Sequence, residues 1–166
     1  MNERERDKFI SEHAYENKSI GLVNRIKEFK KTYIYMPTWR KDSDDFIKDA
    51  QIDWECLSQS LAKNDALLIL KMHPFTKLDL KEIDKFNNII IYPKGIDVYT
   101  ILPYTDCLIT DYSSIYCDYI LMNKEIILFT FDYDTYVKND FDLEDYDKYY
   151  KGPRAYDFKS FNALIS

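Results

Sequence analysis

Residues 107–120 read Cys107-Leu108-Ile109-Thr110-Asp111-Tyr112-Ser113-Ser114-Ile115-Tyr116-Cys117-Asp118-Tyr119-Ile120. The first four residues compose a short buried strand. Asp111 to Ser114 are turn and helix-capping types. Ile115, Tyr119 and Ile120 then recur at helical spacing. A buried strand running through a short polar turn into a helix is half of a βαβ unit, so a parallel sheet is predicted.

The same alternation extends in both directions. Tyr33-Ile34-Tyr35-Met36 is a short β-rich run stopped by Pro37. Upstream, Leu22, Val23, Ile26 and Phe29 fall at helical spacing. Asp53 is placed to cap a helix burying Trp54, Leu57 and Leu61. Residues 66–72 (ALLILKM) and 88–92 (NIIIY) are nearly continuous apolar runs, as expected of strands covered on both faces. Asp97 is placed to cap a short helix through Val98, Ile101 and Leu102 that Pro103 closes. Residues 125–130 (EIILFT) make a fifth strand, and Gly152-Pro153-Arg154 reads as a turn. The predicted fold class is α/β, a Rossmann-like parallel sheet with flanking helices. Residues 1–19 are expected to be a polar helix or connector, and 20–166 one Rossmann-like domain.

Composition narrows the function classes. The chain has 166 residues, 46% hydrophobic and 31% charged, which is globular. Lys and Arg number 23 against 29 Asp and Glu, a net charge of −6, and so acidic a chain is a poor candidate for nucleic acid. Residues 1–41 hold ten Lys and Arg against six acids, read as a solvated surface. Residues 132–148 hold seven acids against two Lys. Cys56, Cys107 and Cys117 lack the spacing of a zinc site or a disulfide framework, which suits a reducing cytosol. No stretch approaches the length of a membrane span, and the charged start is unlike a signal peptide. Phe158, Phe161, Leu164 and Ile165 form an apolar helix face at the chain's end, an arrangement expected within a longer polypeptide.

Ligands of parallel α/β sheets bind beyond the carboxyl ends of the strands. The chemically capable residues cluster at those ends. Asp111, Ser113 and Ser114 either cap the following helix or, with its free N–H groups, hold a phosphate. His73, after the second strand, is placed to take a proton or to hold a phosphoryl oxygen; the alternative is a structural histidine. Arg40 in Pro37-Thr38-Trp39-Arg40 reads as either a fork for phosphate oxygens or a solvated arginine, and Trp39 as packing on the loop or, second, on a base. Asp118, four residues after Ser114, reads as either a ribose ligand or a surface acid. His13 reads as surface. Asp42, Asp44 and Asp45 lack calcium-loop spacing.

The segments MPTWR (36–40), LKMHP (70–74), LITDYSSIYCDY (108–119), IILFTFDYDTY (126–136) and KGP (151–153), in that order, resemble the CDP-glycerol glycerophosphotransferases, the teichoic acid polymerases and primases of Gram-positive cell walls. The resemblance spans roughly residues 20–165, with TDYSS and the following DY its most specific part. It implies the C-terminal, donor-binding half of a two-lobed GT-B enzyme. It implies transfer of glycerol phosphate from CDP-glycerol to a hydroxyl of a lipid-linked polyol-phosphate polymer, releasing CMP. CDP-ribitol or a nucleotide sugar as donor, or a non-catalytic nucleotide-binding lobe, are the alternatives. It implies His73 as catalytic, phosphate binding by Arg40, Ser113 and Ser114, and a place near the donor for Thr38, Asp111 and Asp118. No metal and no cofactor are implied. The N-terminal acceptor lobe, with its own catalytic histidine, is expected in cis or in trans. The expected location is cytoplasmic, peripheral at the inner face of the cell membrane.

Overall fold

The computed structural model describes residues 17–41, 46–76, 80–140 and 146–166. His13, the acids at 42, 44 and 45, and most of the predicted N-terminal polar segment lie outside the described residues. Helix α1 covers residues 17–26. There follow β1 (Lys31–Tyr35), α2 (Phe46–Asp49), α3 (Trp54–Lys63), β2 (Ala66–Leu70), α4 (Leu80–Ile83) and β3 (Ile89–Ile91). Then come β4 (Cys107–Thr110), α5 (Ile115–Ile120), β5 (Glu125–Phe129), α6 (Tyr133–Asp140), α7 (Tyr146–Tyr149), β6 (Arg154–Ala155) and α8 (Phe158–Ile165).

The six strands form one sheet in the order β3-β2-β1-β4-β5-β6. Every neighbouring pair is parallel. Strand order therefore reverses between β1 and β4, the position beyond whose carboxyl ends parallel sheets bind their ligands.

Side-chain alternation explains why both faces are covered. Tyr33, Tyr35, Leu68, Leu70, Ile109, Ile127 and Phe129 point to the face packed by α2, α3 and α8. Ile34, Leu67, Ile69, Leu108, Ile126 and Leu128 point to the opposite face, against α1 and α5. Neither set leaves a polar face, so β2 is apolar along its whole length, ALLIL, and buried throughout. Asp53 caps α3 through a 2.9 Å bond from the Cys56 N–H, as its sequence position predicts.

Two sequence expectations need correction. The helix after Asp97 is two 3-10 turns, Val98–Thr100 and Leu102–Tyr104. Asp97 does cap the first, but Pro103 sits at the start of the second rather than ending it, because the first helical positions need no N–H. The Gly152-Pro153-Arg154 segment is more than a turn, since Arg154 and Ala155 pair with Leu128 and Phe129 as a sixth strand. Gly152 makes that approach possible. Its φ is +145°, and a Cβ there would lie 2.7 Å from the Ile126 carbonyl oxygen.

Among the described residues no helix is long and apolar enough to cross a membrane.

Candidate functional site

The loops after β1, β2 and β4 leave the same edge of three adjacent strands. The register Tyr35↔Leu70 and Tyr35↔Ile109 sets their exits side by side. Met36 extends the β1–β4 ladder, its N–H bonding the Ile109 carbonyl at 2.9 Å. Thr110 Oγ1 donates to the Met36 carbonyl at 2.8 Å and locks the two exits together.

Arg40 lies at the centre of this edge. Its Nη2 donates to Asp111 Oδ2 at 2.8 Å, and its Nε to Asp132 Oδ2 at 2.6 Å. Nη1 donates to the Thr38 carbonyl at 2.5 Å. Phe46, Tyr112 and Tyr136 offer ring faces to the same guanidinium, their centroids 4.6 to 5.1 Å away. The Arg40 side chain is only 7% exposed. Burial opposes the cation, but Asp111 and Asp132 outweigh it and raise the pKa above the ordinary guanidinium value.

Asp111 is fully buried. Its carboxylate also accepts the Thr38 N–H at 2.8 Å and the Tyr112 N–H at 2.6 Å. Burial pushes this carboxyl up from its ordinary value, while Arg40 and the Thr38 N–H pull it back. With Arg40 and two N–H groups donating to its oxygens, we assign it as the carboxylate.

Arg40, expected as a fork for a donor phosphate, has each guanidinium nitrogen bonded within the protein. Asp111, expected near the donor, faces inward. Both residues build the edge from within. Thr38 is half-buried beside them, and its Oγ1 has no hydrogen-bond partner. Ser113 is half-buried and Ser114 exposed. Ser114 makes no side-chain capping bond, and Ser113 Oγ receives only a 3.5 Å contact from the Ile115 N–H. Capping therefore does not occupy the serine pair. Helix α5 has only six residues, so the hydroxyls matter more here than a long helix dipole.

His73 is exposed on the loop after β2. Trp39 stacks on it, ring centroids 5.3 Å apart and planes 30° apart. Phe75 closes a second side at 5.2 Å from the imidazole. The Phe75 N–H points to His73 Nδ1 at 3.4 Å. A neutral imidazole that accepts at Nδ1 carries its proton on Nε2.

Asp118 is exposed on α5, one turn beyond Ser114. The Tyr99 hydroxyl donates to its Oδ2 at 2.7 Å, and that bond raises the Tyr99 phenol pKa.

Sequence reasoning missed two participants. Asp132 is the second acid on Arg40, but it lies 92 residues away, and no local pattern announces such a pair. Tyr99 lies 19 residues from Asp118 and meets it only once the two 3-10 turns fold back. A separate open cavity of about 580 Å3 lies at the amino edge of β1 and β5, beside Lys31, Lys124, Glu125 and Gly152. Its cations are engaged: Lys31 pairs with Glu125, and Lys124 donates to the Pro103 carbonyl at 2.6 Å.

The sequence of residues 5–166 matches the family described as CDP-Glycerol:Poly(glycerophosphate) glycerophosphotransferase. Over 142 residues, 82% of this chain, it is 33% identical to the teichoic acid ribitol-phosphate polymerase TarL of Staphylococcus aureus, covering 24% of that protein. Over 115 residues, 66% of this chain, it is 34% identical to the teichoic acid poly(glycerol phosphate) polymerase of Staphylococcus epidermidis, covering 16% of it. The chain thus spans about a quarter or less of the length of these two relatives. Among solved structures, the wall teichoic acid polymerase TagF superposes with a TM-score of 0.69 at 26% identity, over 91% of this chain and 38% of that one. A TagF variant soaked with CDPG gives a TM-score of 0.71 at 27% identity, over 90% and 38%. The Rossmann-like, GT-B-type lobe read from the sequence is the fold observed.

Proposed function

This chain belongs to the CDP-glycerol:poly(glycerophosphate) glycerophosphotransferase family, and from that premise we propose that it is the donor-binding lobe of an enzyme transferring a polyol phosphate from a CDP-linked donor to a polymer hydroxyl. The observation that carries this reading is the meeting of the loops after β1, β2 and β4 at the strand-order reversal, with Ser113, Ser114, Thr38 and His73 on one edge.

The chemistry asks little of covalent catalysis. The acceptor oxygen attacks the phosphorus that carries the polyol, and the bond from that phosphorus to the CMP oxygen breaks. CMP leaves, and the hydroxyl proton passes to a base. Catalysis then rests on holding the diphosphate and neutralising its charge. The Ser113 and Ser114 hydroxyls would hydrogen-bond to it, with Thr38 packed beside them. His73, protonated at Nε2, is suited to donate toward a phosphoryl oxygen or the departing CMP. The base for the acceptor hydroxyl is assigned to the acceptor lobe, in cis or in trans. Asp118, aimed by Tyr99, is assigned to the ribose hydroxyls.

Glycerol phosphate is the leading cargo. Ribitol phosphate is the second reading, favoured by the ribitol-phosphate polymerase among the relatives. The acceptor is a lipid-linked polyol-phosphate polymer, reached at the inner face of the membrane.

Calorimetry with CDP-glycerol, CDP-ribitol, CDP, UDP and cytidine tests the binding. Tight binding of a CDP-alcohol over UDP supports the proposal; no binding of any nucleotide overturns it. CMP release in the presence of a glycerol-phosphate primer tests the transfer.

A further inference from the structure

We infer that Trp39 is a positioning residue for His73, and that the buried charge cluster at Arg40 acts on the chemistry through it. This goes beyond the proposed donor lobe and rests on that reading of His73.

An exposed imidazole on a loop turns freely unless something fixes it. The bond from the Phe75 N–H, at 3.4 Å, is at the long end of useful geometry. It selects which nitrogen accepts but hardly fixes the ring's tilt. The Trp39 indole supplies that restraint, stacked at 5.3 Å. Phe75 meets the indole in turn at 6.2 Å, so three rings brace one another.

Trp39 is itself held on both sides. The preceding Thr38 is bonded through its N–H to Asp111 and through its carbonyl to Arg40. The following Arg40 is fixed by Asp111 and Asp132. The indole N–H, buried, has no hydrogen-bond partner. A buried Trp usually finds one. Stacking, not its polar end, holds this ring in place. Anchored backbone, a flat ring and an imidazole thus form one line from the buried charges at the strand-order reversal to the exposed His73.

The test compares Trp39→Leu, Trp39→Phe and His73→Ala in the full encoded protein. Three readouts are followed: CDP-glycerol affinity, CMP release, and the His73 ring-proton resonance. The His73 resonance is assigned as the ring-proton signal that is missing from the His73→Ala spectrum. Trp39→Leu is expected to shift the His73 resonance by loss of the ring current. It should slow CMP release on the order of 10- to 100-fold while CDP-glycerol affinity stays within about threefold. Trp39→Phe should keep the resonance near its original position and retain most turnover.

Wild-type turnover in Trp39→Leu, or an unmoved His73 resonance, overturns the inference. If Trp39→Leu does not fold, Trp39→Phe decides: lost turnover with an unchanged resonance overturns it, and retained turnover supports it. Failure of the underlying reading looks different, because His73→Ala itself would then release CMP at the wild-type rate.

Discussion

Arg40 and Asp111 form an ion pair of 2.8 Å whose side chains are 7% and 0% exposed, and it ties the loop after β1 to the loop after β4. Strand order reverses between those two strands. A pair buried this deeply matters most when one partner is lost. Arg40→Met would leave Asp111 and Asp132 without their cation, and should cost on the order of 3–5 kcal/mol of unfolding free energy by urea titration. The double variant Arg40→Met/Asp111→Leu should cost less than the sum of the two single variants. A loss under about 1 kcal/mol for Arg40→Met would mean that the pair does not organise the edge.

Gly152 tests the packing of β6 on β5. Any side chain there meets the Ile126 carbonyl, in a backbone conformation that side chains disfavour. Gly152→Ala is expected to destabilise the fold by about 1–3 kcal/mol, read from the urea midpoint at unchanged slope. An unaltered midpoint would contradict the close approach of these strands.

Cys107 and Cys117 should separate in an alkylation time course. Burial pushes the Cys107 thiol up to about 12, and its side chain lies inside the sheet. Cys117 is exposed. At pH 8 iodoacetamide should modify Cys117 readily and Cys107 only after denaturant is added, by peptide mass analysis. Modification of Cys107 in the native protein would show that β4 is not central.

Acid should loosen α8. Asp157 and Ser160 form a reciprocal capping box, and the Ser160 hydroxyl and N–H lower the Asp157 pKa in the folded state. A carboxyl lowered on folding contributes above its unfolded pKa of about 3.9, and that contribution disappears as pH falls through the folded value. The stability gap between wild type and Asp157→Ala should therefore be present at pH 7 and narrow on acidification below about pH 4. A gap that widens in acid would reverse the sign of this linkage.

Strands were legible in the sequence where apolar runs are nearly continuous. ALLIL and CLIT can satisfy a sheet only when buried on both faces. The two-residue β6 was not legible, because Arg154 and Ala155 carry no periodicity and their pairing depends on the bare backbone at Gly152. The edge that holds the candidate site followed from where loops leave parallel strands. The duties of its residues did not. A guanidinium after a strand reads as a phosphate fork until Asp111 and Asp132, 71 and 92 residues away, arrive to occupy it. The stack of Trp39 on His73 depends in the same way on the pairing of β1 with β2.

The central claim is that a donor diphosphate sits at the strand-order reversal. Amide chemical-shift mapping of this chain during titration with CDP-glycerol, and separately with cytidine, tests it most directly. CDP-glycerol should move the amides of 38–40, His73, Phe75 and 111–114 strongly, and cytidine should leave most of these in place. Shifts gathered instead around 124–127, Lys151 and Gly152, at the opposite edge of the sheet, would contradict the account.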